Sequence, residues 1–127
     1  MKVLALDYGS ARTGVAVSDP TGTVARPLCV VERAATEVGL GRLREIVADE
    51  QAERIVVGLP LTLRGAHGEQ ARETEQFVQG LRAAVDVPVE TFDERFTTTL
   101  AGPGGDADAR AAAHLLSSYL EWSSRRS

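Results

Sequence analysis

The chain has 127 residues, of which 43% are hydrophobic and 25% charged, the make-up of one folded domain with a single core rather than of a disordered segment. No apolar run approaches the roughly 20 residues of a membrane span, and no basic-then-apolar leader precedes Val3, so a cytoplasmic location without a membrane partner is expected. Its 18 acids outnumber its 14 bases for a net charge of −4, which argues against indiscriminate nucleic-acid binding but not against a nucleic-acid enzyme whose site is itself acidic.

The first elements are short strands. Val3-Leu4-Ala5-Leu6 is apolar on both faces and ends in Asp7, the pattern of a central, doubly covered strand. Tyr8 to Gly14 is a glycine-flanked turn and Val15 to Ser18 a second strand. Pro20-Thr21-Gly22 is a second turn, shaped by Asp19. Val24 to Glu32 reads as a third strand, and Pro27 within it, unable to donate to a ladder, puts it at an edge. Cys29 lies in the apolar stretch of that strand, where a buried, inert thiol is expected. Helical spacing begins near Thr36, with Leu40, Leu43, Ile46 and Val47 on one stripe. Arg54 to Pro60 is a buried strand and Leu61 to Gly68 a loop holding Arg64 and His67. Glu69 to Ala84 is a second helix with Ala71, Phe77, Val78 and Leu81 inward. Val87 to Phe92 is a fifth strand that runs into Asp93-Glu94-Arg95-Phe96-Thr97-Thr98. Gly102 to Gly105 interrupts the pattern, and an Ala-rich helix from Asp108 to Trp122 closes it. His67 and His114 show no partner spacing for zinc.

The order β-β-β-α-β-α-β-α, hairpins first and right-handed crossovers after, predicts an α/β protein of ribonuclease H-like fold: one five-stranded mixed sheet, strand order 3-2-1-4-5, with helices on both faces. Residues 1–127 are expected to form a single domain. Actin-like ATPase domains share this start, so the order alone does not decide function.

Three acidic positions fall where such a sheet can bring them together. Asp7 ends the central strand, Asp93 and Glu94 end the fifth, and Asp108 opens the last helix. Ligands of open sheets collect at the carboxyl ends of adjacent parallel strands. Converging carboxylates there suit Mg²⁺ or Mn²⁺, two of which can activate a water and stabilise a departing phosphodiester oxygen. A carboxylate closing a doubly buried strand is costly without a purpose. Asp108, by contrast, is equally readable as the first-turn acid of its helix. Asp93 and Glu94 alternate in direction, so at most one points at Asp7, and Glu94 is favoured. Ser10, Arg12 and Thr13 can donate to phosphate, although a tight hairpin with positive φ at Gly9 and Gly14 explains the same spacing.

With these residues in place the chain resembles the YqgF/RuvX family, small bacterial proteins described as Holliday junction resolvases and as pre-16S rRNA nucleases. The matching stretches are Leu4-Ala5-Leu6-Asp7-Tyr8-Gly9 with Arg12 and Gly14-Val15-Ala16-Val17-Ser18-Asp19, then Ile55-Val56-Val57-Gly58-Leu59-Pro60-Leu61 with Gly65. Asp93-Glu94-Arg95-Phe96-Thr97-Thr98 follows, and last comes Asp108 with the Ala-rich helix ending Ser118-Tyr119-Leu120. The resemblance implies a ribonuclease H-like fold, nuclease chemistry with Mg²⁺ or Mn²⁺, a nucleic-acid partner and a role in maturing the 5′ end of 16S rRNA. Carried over by position, it implies Asp7, Glu94 (or Asp93) and Asp108 as catalytic acids, and Gly58-Leu59-Pro60-Leu61 as part of the cleft wall. Arg12, Ser10, Thr13, Arg64, Arg95 and Thr97 are the candidate substrate contacts.

One departure stands out. The family usually carries a basic stretch between the Asp-Glu-Arg motif and the last-helix Asp, whereas Thr97 to Ala107 holds no Lys or Arg; Arg110 restores part of that charge. The leading expectation is a metal-dependent nuclease acting on structured RNA, with DNA as a second substrate, working as a monomer or weak homodimer. Holliday junction resolution is the first alternative and needs a dimer with a sizeable basic face. A non-catalytic RNA-binding or transcription-associated factor is the second.

Overall fold

The computed structural model describes residues 1–60, 68–93 and 109–125. The apolar opening run forms β1 (Val3–Asp7), which turns back as β2 (Arg12–Ser18) and again as β3 (Ala25–Glu32). Then follow α1 (Glu37–Glu50), β4 (Arg54–Leu59), α2 (Glu69–Ala84), β5 (Val89–Asp93) and α3 (Ala109–Ser124). The strands make one sheet in the order β3-β2-β1-β4-β5, antiparallel from β3 to β1 and parallel from β1 to β5. That is the order expected from the sequence.

Alternation along β1 explains why both of its faces are apolar. Leu4 and Leu6 join Val15, Val17, Ile55 and Val57 in a core closed by Leu43 and Ile46 of α1 and Phe77 and Leu81 of α2. Val3 and Ala5 join Ala16, Val56 and Phe92 on the other face, under Ala112, Leu115, Leu116 and Tyr119 of α3. Each large side chain removed from water in this way contributes about 1.5–3 kcal/mol. Among the described residues, no helix is long and apolar enough to cross a membrane.

β3 is the edge strand expected from Pro27. The register slips there, Val15 opposing Cys29 and Ala16 opposing Pro27, so Leu28 is the extra residue of a bulge that absorbs the missing donor. Cys29 is half-buried, and burial pushes its thiol pKa up. α1 starts where Thr36 caps it, the hydroxyl accepting from the Gly39 N–H at 3.2 Å. β5 begins two residues later than Val87, because Pro88 serves as the lead-in, its carbonyl accepting from the Ile55 N–H at 2.9 Å.

The direction of α3 matters most for the site. Tyr119, near its C-terminal end, accepts from Arg54 at the start of β4 (3.1 Å). The roughly 15 Å of helix between Tyr119 and Ala109 therefore leads back to the end of the sheet where β1 finishes in Asp7.

Candidate active site at the carboxyl end of β1

Asp7 is half-buried and stands opposite Gly14 of β2. By the pleat it shares the face of Val3 and Ala5, the one covered by α3. On its other side, Leu6 pairs with Val57, so the neighbouring position on β4 is Gly58. The positions directly opposite Asp7 on both flanking strands are therefore glycines.

Asp93 ends β5 in register with Leu59. Val89 packs with α1 and α2, and Phe92 packs with α3. Asp93 therefore falls on the α1–α2 face, opposite to Asp7. Two strand spacings, about 10 Å in all, also separate β5 from β1. The structure does not bring Asp93 onto the face of Asp7. Glu94, Asp108, Arg64, Arg95 and Thr97 lie outside the described residues, as does His67. By the direction of α3, with Tyr119 at the start of β4, Ala109 at the beginning of the helix lies toward the Asp7 end.

The turn after Asp7 divides its three candidates. Ser10 and Arg12 are exposed. Thr13 is fully buried, and its hydroxyl accepts from the Gly9 N–H and donates to the Gly9 carbonyl, each at 3.3 Å. Its hydrogen-bonding capacity is directed at the turn, which it holds shut behind Asp7. Arg12 opens β2 opposite Glu32.

Sequence reasoning missed the second support of Asp7. Tyr8 turns to the opposite face and stacks on Phe77 of α2, with ring centroids 4.4 Å apart and planes 16° from parallel. Burial first, then the charge of Glu73, raises the Tyr8 pKa. The pair borders a cavity of about 280 Å³ with Ala35, Leu40, Glu73, Gln76 and Gly80. The signal was present, since Tyr8 must alternate away from Asp7 and Phe77 lies on the inward stripe of its helix. Among the described residues, no group of three His, Cys, Asp or Glu side chains converges as a metal site.

A five-stranded sheet in this order, covered by helices on both faces and closed at its central strand by a carboxylate, defines a protein of the ribonuclease H-like fold. The chain belongs to the RuvX family: the model of that family, described as Holliday junction resolvase, matches residues 1–122. A Chloroflexus aggregans protein named "Putative pre-16S rRNA nuclease" is 43% identical over 99 residues, spanning 78% of this chain and 70% of the relative. A Moorella thermoacetica protein of the same name is 41% identical over 133 residues, spanning 95% of each. That alignment is longer than the 127 residues of this chain, so the relative carries residues that this chain lacks. Among solved structures, Thermus thermophilus RuvC in complex with a Holliday junction substrate superimposes with a TM-score of 0.64 at 19% identity, covering 98% of this chain and 96% of that one. This likeness is one of fold.

Proposed function

We propose that the chain is a divalent-metal-dependent nuclease that hydrolyses phosphodiester bonds of structured RNA in the 5′-end maturation of pre-16S rRNA. The substrate is the one for which its relatives are named. The observation that carries the reading is the position of Asp7, a half-buried carboxylate ending the central strand on the α3 face, at the end where α3 begins.

In this reading Asp7, Glu94 and Asp108 are the catalytic acids and hold Mg²⁺ or Mn²⁺. All three offer carboxylate oxygens, the hard donors that these ions take. The bound cations supply Lewis-acid activation of water and neutralise charge on the phosphate. Gly14 and Gly58 leave the flanks of Asp7 without side chains, so a phosphodiester can approach it closely. Arg12 and Ser10 bind phosphate from the turn, and Arg64, Arg95 and Thr97 contribute further substrate contacts. The Thr13 clasp and the Tyr8–Phe77 stack hold the backbone on the far side of Asp7, so that its carboxylate meets the substrate already oriented.

The test is cleavage of a pre-16S rRNA fragment by the purified chain with Mg²⁺ or Mn²⁺, beside Asp7→Asn. Cleavage that disappears in the variant and on chelation is the expected result, and an Asp7→Asn protein as active as its parent removes the site from this position. The family description favours a second reading, resolution of four-way DNA junctions. Paired symmetric nicks in a junction substrate, made by a dimer, would identify it.

A further inference from the structure

Arg33 follows β3 with φ +48, in the left-handed region where a side chain is strained and glycine is the usual occupant. The other described non-glycine with positive φ, Gln51, is an ordinary helix C-cap. Arg33 is not, and its conformation is enforced from several sides. Its N–H donates to the Ala11 carbonyl at 3.0 Å, and its own carbonyl accepts from the Thr36 N–H at 3.1 Å and the Thr36 hydroxyl at 2.7 Å. Gly39 makes room for that carbonyl, since a Cβ there would lie 2.2 Å from it. Strain held this firmly, on a residue that keeps a long cationic side chain, points to a use for the side chain.

The Ala11 bond stitches Arg33 to the turn that carries Arg12. Both arginines are exposed, and among the described residues neither guanidinium has an ion-pair or hydrogen-bond partner. Arg26, Arg42, Arg54 and Arg125 are each paired with a glutamate. β1 and β3 run the same way, so Arg12 and Arg33 both stand at the Asp7 end of the sheet. Strand spacing and rise put their Cα atoms about 8 Å and about 14 Å from that of Asp7. Guanidinium forks match phosphate geometry. With no Lys or Arg between Thr97 and Ala107, cations for the backbone must come from elsewhere in a chain of net charge −4.

We infer that Arg33 and Arg12 form a phosphate clamp that leads a nucleic-acid strand from the Asp7 carboxylate outward over the end of β3. The inference rests on the nuclease reading for its substrate, and it adds a binding residue and the path of the strand. Binding is measured by fluorescence anisotropy with a labelled RNA hairpin bearing single-stranded tails, in EDTA, over a salt titration, with all proteins in an Asp7→Asn background so that nothing is cleaved. Arg33→Gly removes both the strain and the charge. It is expected to melt at or above the parent temperature, yet bind about threefold to tenfold more weakly, with the slope of log affinity against log salt reduced by about 0.7. Arg33→Gln should lose the same slope, and Arg33→Lys should keep it. Parent affinity and slope in both the Gly and Gln variants, or a Lys variant as weak as Gln, overturns the clamp. Cleavage by wild type and by Asp7→Asn alone judges the nuclease reading separately, because the salt slope reports binding without catalysis.

Discussion

At the amino end of the parallel strands, Arg54 donates to the Tyr119 hydroxyl at 3.1 Å and lies 3.4 Å from Glu90, to which Tyr119 donates in turn. Close by, Lys2 and Arg26 share Glu50 at 3.2 and 3.5 Å. At the carboxyl end, Arg12 and Arg33 are exposed with no partner among the described residues, and Asp7 stands between glycines. The amino end closes its charges on one another and fastens β4, β5 and α3 together. At the carboxyl end the buried Thr13 and the positive-φ bend at Arg33 hold turns whose arginines face solvent. Exposed pairs contribute only about 0–1 kcal/mol each, so leaving arginines unpaired costs the fold little and keeps them available to a polyanion.

The largest effect expected from breaking this contrast is at Asp7. Asp7→Asn should lower the rate of metal-dependent RNA cleavage by on the order of a thousandfold, about 4 kcal/mol of transition-state stabilisation, with little change in melting temperature. Next comes a pair of glycines in α1. A Cβ on Gly39 would meet the Arg33 carbonyl at 2.2 Å and the Ala34 Cα at 2.6 Å, whereas one on Gly41 would meet nothing within 4 Å. Gly39→Ala must therefore move the backbone that holds Arg33 and should cost at least about 2 kcal/mol in urea denaturation. Gly41→Ala should instead stabilise by about 0.5–1 kcal/mol, since it gains helix propensity without a clash. Equal effects would mean that the Arg33 bend is not fixed by packing.

These sites also mark how far the sequence could be read. β1 was legible because four successive apolar residues have to be covered on both faces, and the strand order followed from hairpins preceding crossovers. The bounds of α2, Glu69 to Ala84, were legible from its stripe. Between Asp93 and Glu94 the sequence could only favour Glu94, because alternation says that at most one of them faces Asp7 and not which. The register of Leu59 with Asp93 and the packing of Phe92 were needed to put Asp93 on the far face. Arg33 was invisible: Arg33-Ala34-Ala35-Thr36 has no turn residue of the usual kind, and its conformation is imposed by a glycine one helical turn farther on. Arg54, Glu90 and Tyr119 are 36 and 29 residues apart along the chain, and no local pattern announces that they meet.

The amino end offers a smaller effect. Tyr119→Phe keeps the ring edge-on to Phe92, with centroids 5.6 Å apart, and removes only the hydroxyl shared by Arg54 and Glu90. Both partners are partly exposed and can turn to water, so the loss should be about 1–2 kcal/mol in denaturant unfolding. RNA cleavage at saturating substrate should be nearly unchanged. A large drop in cleavage with no loss of stability would show that the two ends are coupled through α3, against the division of labour drawn above.

The smallest effect is expected at Asp19, in the turn beneath the amino end. Its carboxylate accepts from the Thr21 hydroxyl and from the N–H groups of Val24 and Thr23 at 2.9 and 2.8 Å. These bonds, the Thr21 hydroxyl foremost, hold its pKa well below the ordinary carboxylate range. A depressed folded-state pKa stabilises the native chain at pH values above the unfolded pKa of about 3.9, and that stability is lost as the pH falls below it. Asp19→Asn keeps one oxygen to accept from the two N–H groups but cannot titrate. Wild type should therefore lose melting temperature more steeply than Asp19→Asn as the pH is lowered below about 4, and the two should run parallel near neutrality. Parallel curves through the acid range would mean that the turn is held by its backbone alone, with the Met1 amino group anchored on the Pro20 carbonyl at 2.9 Å as the remaining tie.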